Sequence, residues 1–185
     1  MTPKHTLTLT AYLQSTKPPW TSLLMLTAGQ RAESLVHPPA RLVLKIIKGR
    51  HCQTLATLFA EFARALAFPD YFGHNWDALE ECLADLEWLP AKGYILLITD
   101  AGCVLPDDEV EYETFLEILR DAGEAWGNGQ TEMGARRATP FHVLFAVSER
   151  EKAKRAHWGM KEINAEPTRE ANSRKRSPKR RPSRC

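Results

Sequence analysis

Phe68-Pro-Asp-Tyr-Phe-Gly-His-Asn-Trp-Asp-Ala-Leu-Glu-Glu-Cys-Leu-Ala-Asp-Leu-Glu-Trp88 is the stretch from which the fold is read. Phe68-Pro69 stops any helix before it, because the residue preceding proline is pushed out of the α region. Asp70-Tyr-Phe-Gly73 has the composition of a turn. Gly73 is read either as its left-handed residue or as a simple linker. A helix then begins at His74 or Asn75 and runs to Pro90-Ala-Lys-Gly93. On its apolar side Trp76, Leu79, Cys82, Leu83 and Leu86 recur at helical spacing. Asp77, Glu80, Glu81 and Asp85 fall on the other side with no basic residue among them. Like charges one turn apart, such as Asp77 and Glu81, cost about 0.2–0.5 kcal/mol a pair. The element is therefore read as a core helix that presents a ridge of carboxylates outward.

Working outward, Arg41-Leu-Val-Leu-Lys-Ile-Ile47 is a strand ended by Lys48-Gly49. Thr54 caps a helix through Leu66, on whose buried side lie Leu55, Leu58, Phe59, Phe62 and Leu66. Tyr94-Ile-Leu-Leu-Ile-Thr99 lacks polar alternation, as expected of a strand covered on both faces. A helix from about 109 to 126 follows, with Tyr112, Phe115, Leu116, Leu119 and Ala122 inward, and Gly127-Asn-Gly129 closes it. After a polar loop over 130–139, Phe141-His-Val-Leu-Phe-Ala-Val147 is a third strand. His142 within it reads as structural or partly exposed. The order strand, helix, helix, strand, helix, strand predicts a small α/β domain over 41–150 with a three-stranded parallel sheet. Residues 1–40, punctuated by Pro18-Pro19 and Pro38-Pro39, read as an N-terminal extension packed on the domain; Trp20-Thr-Ser-Leu-Leu-Met-Leu26 has the composition of a short strand. Residues 151–185 read as a basic tail too poor in apolar residues to fold.

The formal charge of +2 conceals a division. Residues 150–185 hold 13 Lys+Arg against 4 Asp+Glu, whereas residues 70–124 hold 15 acids against Lys92 and Arg120 alone. Such a field destabilises the body by self-repulsion, repels phosphates, and speeds encounter with a basic protein. Membrane insertion is disfavoured, since no apolar run approaches the roughly 18–20 residues that a span requires. The N-terminus lacks the apolar core of a signal peptide, and Cys52, Cys82, Cys103 and Cys185 form no C-x-x-C, so a cytoplasmic chain with reduced thiols is expected.

Catalytic signatures are missing: there is no G-x-S-x-G, no Gly-rich phosphate loop and no H-E-x-x-H. His74 and Asp77 stand three apart without a third ligand at recognisable spacing, so no metal and no cofactor are expected. Glu80 and Glu81 point about 100° apart and make no acid–base pair. Tyr71 and Phe72 beside the ridge read as aromatic anchors or, especially for Phe72, as core packing.

Residues 66–79, Leu-Ala-Phe-Pro-Asp-Tyr-Phe-Gly-His-Asn-Trp-Asp-Ala-Leu, closely resemble the signature of the barstar family of intracellular ribonuclease inhibitors. The resemblance implies a three-stranded parallel sheet with packed helices, and a protein that plugs a ribonuclease active site with its second helix and the loop before it. By motif, Tyr71, Phe72, Asn75, Asp77 and Glu81 take the family's contact positions. Glu81 would be the central carboxylate that enters the enzyme's phosphate site, and Asp121, in its Arg-acid-Ala context, a further acid on the late helix. A carboxylate can replace an RNA phosphate among Arg and Lys through charge-assisted bonds. Four departures stand out: Phe72 lacks a tyrosine hydroxyl, Glu80 replaces a tryptophan, Asp85-Leu86 replaces Gly-Trp, and Glu81 is one methylene longer than the family's aspartate. The expectation is a non-enzymatic, antitoxin-like inhibitor, a monomer before it binds a basic ribonuclease. Glu80 and Asp85 extend its binding face. The alternatives are an acidic module for another basic protein and a nucleic-acid-associated protein acting weakly through its tail.

Overall fold

The computed structural model describes residues 8–131, 134–155 and 157–164. In chain order the elements are α1 (Leu9–Leu13), β1 (Thr21–Leu26), β2 (Val43–Lys48), α2 (Leu55–Leu66), α3 (Trp76–Asp85), β3 (Tyr94–Thr99), α4 (Glu109–Asn128), β4 (Gln130–Thr131), β5 (Gly134–Ala135), β6 (Phe141–Ser148), α5 (Glu149–Lys152) and β7 (Lys161–Asn164). The expected α/β fold with a parallel sheet is present. The strand number is corrected: the sheet has five strands, ordered β2-β3-β6-β1-β7 and parallel throughout.

The two added strands come from segments that the sequence placed outside the domain. β1 pairs with β6 from Thr21↔Val143 to Leu26↔Ser148, so it covers an edge that a three-stranded sheet would leave open. β7 then pairs with β1 from Ser22↔Lys161 to Met25↔Asn164. Residues 151–164 are built into the fold in other ways too. The Arg155 guanidinium donates to the carbonyls of Val104 and Leu105, pairs with Glu109, and lies 3.5 Å from the centre of the Tyr112 ring. Trp158 is buried beside it. The remainder of the expected tail, from residue 165, lies outside the described residues.

Period-two alternation divides the buried side chains into two layers. Tyr94, Leu96 and Ile98 of β3, with Phe141, Val143, Phe145 and Val147 of β6, face α2, α3 and α4. Ile95, Leu97, Leu144 and Ala146 face the other way, toward Tyr12 and Leu13 of α1 and toward Ala32 and Val36 of the β1–β2 connection. Trp20 locks β1 to the helical layer. Its indole lies in a notch that α4 leaves at Gly123 and Gly127, where a Cβ would overlap the ring. The pair forms the smooth face that one helix needs to accept a tryptophan, and Gly129 (φ +69) ends α4 in the left-handed region.

His142 is wholly buried. Its Nε2 donates to the Ser15 carbonyl at 2.8 Å, its ring lies 4.4 Å from Tyr12, and Nδ1 is buried without a well-formed hydrogen bond among the described residues. Burial pushes its pKa below the usual 6.5, against an opposing pull from the Ser15 and Pro19 carbonyls.

Two outcomes are expected. Gly127→Val should force Trp20 from its notch and cost about 1–3 kcal/mol of overpacking, read as a lowered urea midpoint. The neutral His142 of the folded chain competes with an unfolded chain whose imidazole takes up a proton near pH 6.5. Stability should therefore be complete above pH 6.5 and decline as the pH falls below it, and replacing His142 with Gln should flatten that decline in urea titrations between pH 7.5 and 5.

Candidate functional site

The loop and first turn of α3 are set by local chemistry. Ala67 ends α2 in the left-handed region, and the Phe72 N–H closes a turn onto the Pro69 carbonyl at 3.0 Å. The left-handed position of this loop is His74 (φ 51), not Gly73. Gly73 serves by being small, since a Cβ there would come 3.1 Å from the Asn75 amide. Asn75 is the N-cap, its Oδ1 accepting from the Ala78 N–H at 2.8 Å. The helix ends earlier than the sequence suggested, at Asp85, because Leu86 turns left-handed (φ 51) and buries its side chain.

α3 lies along α4 in the same sense. At the N-terminal ends, Trp76 Nε1 donates to Glu111 at 2.8 Å, and its ring lies 5.0 Å from Phe59 and 6.2 Å from Phe115. At the C-terminal ends, Trp126 Nε1 donates to the Leu83 carbonyl and Arg136 Nη1 to the Ala84 carbonyl, at 2.8 and 2.7 Å. The Arg136 guanidinium lies 3.2 Å from the centre of the Trp126 ring. These bonds satisfy carbonyls of the last turn of α3 and place a cation at the negative end of its dipole. Leu79, Cys82 and Leu83 fill the space between.

That anchoring leaves Asp77, Glu80, Glu81 and Asp85 only one direction, outward, and all four stand on the solvent side of the helix. Among the described residues none of them makes an ion pair. Their field is felt beneath: burial first, then the Glu81 and Asp85 charges, push the Cys82 thiol upward. Asp85 also acts on Arg136, whose pKa burial lowers and whose cationic form Tyr94 and Asp85 favour. Asp77, Glu80 and Glu81 are thus the least compensated part of the ridge.

The residues singled out by sequence separate by role. Tyr71 is 76% exposed and stands free beside the ridge, whereas Phe72 is 6% exposed with its ring 4.8 Å from Phe68 and 6.4 Å from Phe59. Phe72 supports the loop from below. Asn75 is exposed, but its oxygen is committed to the cap. Asp121 is exposed on α4, and no hydrogen bond or ion pair among the described residues ties it to α3. Sequence reasoning missed Glu111 and Arg136, which hold the two ends of α3 from 35 and 52 residues away. No local pattern announces bonds at that separation. It also missed Val110, 77% exposed in the first turn of α4 beside Glu111; a valine preceding an acid on an amphipathic helix carries no signal until its neighbours are placed.

The family model described as Barstar (barnase inhibitor) matches residues 43–146, which span β2 through most of β6. That is more than half of the chain, and it includes the whole of α3 and the loop before it. The chain belongs to the barstar family, a family of inhibitors. No curated protein matches it. Among the described residues no helix is long and apolar enough to cross a membrane.

Asn75→Ala should cost about 1 kcal/mol by orphaning the Ala78 N–H, with Asn75→Asp close to wild type. Urea unfolding of the three proteins checks this.

Proposed function

We propose that the chain is a cytoplasmic inhibitor, antitoxin-like in its stoichiometric action, that binds a basic ribonuclease and closes its active site with α3 and the loop before it. The reading rests most heavily on one observation: a row of outward carboxylates with no ion pair among the described residues, fixed at both ends to α4. Asp77–Glu81 and Glu81–Asp85 each repel at one-turn spacing, costing about 0.2–0.5 kcal/mol a pair. Only Asp77 recovers some of this from the helix dipole. A surface kept at a cost to stability gains when it meets cations.

Glu81 is the first choice for the phosphate-mimicking carboxylate, at the centre of the row between Asp77 and Asp85. Its two oxygens can accept paired N–H bonds from an arginine as a phosphate would. Asp77 and Glu80 flank it, Tyr71 supplies an exposed aromatic body beside them, and Asp121 adds charge from α4. Phe72 and Asn75 act by shaping the loop and the helix start. No bond is made or broken: the inhibitor occupies the site and excludes RNA. A second reading keeps this face and changes its partner to another basic protein. It draws on Glu80, a carboxylate where the family pattern has a tryptophan.

The test is inhibition of barnase, a basic ribonuclease of the kind the family is described as inhibiting. Glu81→Ala should weaken inhibition about 30-fold or more, the consequence of removing one partner from a desolvated charge pair. A shortened chain ending at residue 164 should inhibit like the full chain. Full inhibition by an Asp77→Ala/Glu81→Ala chain would remove the face from the account.

A further inference from the structure

A cleft of about 510 Å³ opens at the carboxyl ends of β1, β2, β3 and β6. It lies on the side of the sheet away from α3, because Ala146 and Ile46 on its floor alternate with the side chains that face the helices. The cleft lies outside the carboxyl ends of parallel strands, the end of an open α/β sheet at which ligands bind. The volume falls within the roughly 300–1,000 Å³ of small-molecule sites.

The polar groups of the cleft are unevenly committed. Its carboxylates are occupied: Asp100 accepts from Arg50 Nε at 3.0 Å and Nη2 at 2.9 and 3.1 Å. Glu151 accepts from the Ser148 N–H and hydroxyl at 2.9 and 2.7 Å, and Glu33 faces Arg31 at 3.9 Å. Its donors are open by comparison. The Lys48 ammonium has no hydrogen bond or ion pair among the described residues. His51 turns Nδ1 toward the buried carboxylate of Glu61 at 3.2 Å and leaves Nε2 over. Glu61 itself is fixed: burial would raise its pKa, but the Arg64 fork, the Lys48 N–H and His51 hold it at about 2. The rim is also pre-set, since Gly49 has no Cβ to strike the Thr99 and Asp100 carbonyls and so lets the loops after β2 and β3 close together. Beneath the donors, Ile46 is left 37% exposed beside Leu26 and Ala146.

We propose that this cleft binds a small organic phosphate. The phosphate meets Lys48, Arg31 and the free N–H groups of Arg50 and His51, and the apolar body of the ligand covers Ile46. The Lys48 ammonium, unpaired among the described residues, favours an anion, and the apolar floor favours one that carries more than a phosphate. The β1 wall of the site lies outside residues 43–146, so the site depends on the strand that the family match does not include. It shares no residue with the α3 face.

Titration calorimetry of the full chain with adenosine monophosphate tests the proposal, with adenosine as the uncharged control. Saturable binding tighter than about 1 mM is expected for the monophosphate and none for adenosine. A Lys48→Gln/Arg31→Gln chain, altered only at exposed side chains, should bind at least about tenfold more weakly with an unchanged urea midpoint. Glu81→Ala should bind as wild type does. Absence of binding at millimolar monophosphate, or equal binding by the double variant and the wild type, overturns the proposal; equal binding would assign the phosphate to basic groups elsewhere in the chain.

Discussion

Everything proposed for the acidic face depends on how α3 is held against α4. A ten-residue helix with like charges along one side is a weak object by itself, since helices shorter than about 12–15 residues are marginal even without repulsion. Its order comes from the partner: Trp76 on Glu111 at one end, Trp126 and Arg136 on the Leu83 and Ala84 carbonyls at the other, and leucines between. Two indoles act as posts because each has a large apolar body and a single N–H that reaches a fixed acceptor. With both ends pinned, the ridge cannot roll to hide its charge, and a partner meets it with little side-chain and helix ordering left to do.

The sheet behind this arrangement is broader than the domain alone requires. β1 covers β6, β7 covers β1, and Trp20 and Arg155 carry the contact through to α4 and its N-terminal turn. The two-sided burial turns the β3 and β6 sequences into nearly continuous apolar runs. It also makes the opposite face a second layer with its own core and its own cleft, so that segments flanking the domain, plain by composition, frame a surface remote from the acidic helix.

Local signals were legible in the sequence and long-range ones were not. Thr54, Pro69, Asn75 and Gly129 act within a few residues, and the helices of the domain follow from them and from apolar spacing. The outward ridge was equally legible, because its four acids share one side of a helix whose other side is leucine and tryptophan. Leu86 was not, since a leucine in the left-handed region is chosen by the pocket that receives its side chain. β7 was hidden for a different reason: Lys-Glu-Ile-Asn has no strand signature of its own and exists by pairing with a strand 139 positions away, Ser22 opposite Lys161. Phe72 reads from the sequence as an anchor or, with more weight, as core packing, and its three ring contacts, to Phe59, Phe68 and His74, place it in the core.

The claim that the α3 face receives the partner is tested most directly by hydrogen exchange of the full chain alone and in the presence of saturating barnase. Slower exchange concentrated in residues 70–87, with the segment 27–33 unchanged, is the result this account predicts. Complex formation that leaves 70–87 exchanging as in the free protein and slows exchange elsewhere would contradict it.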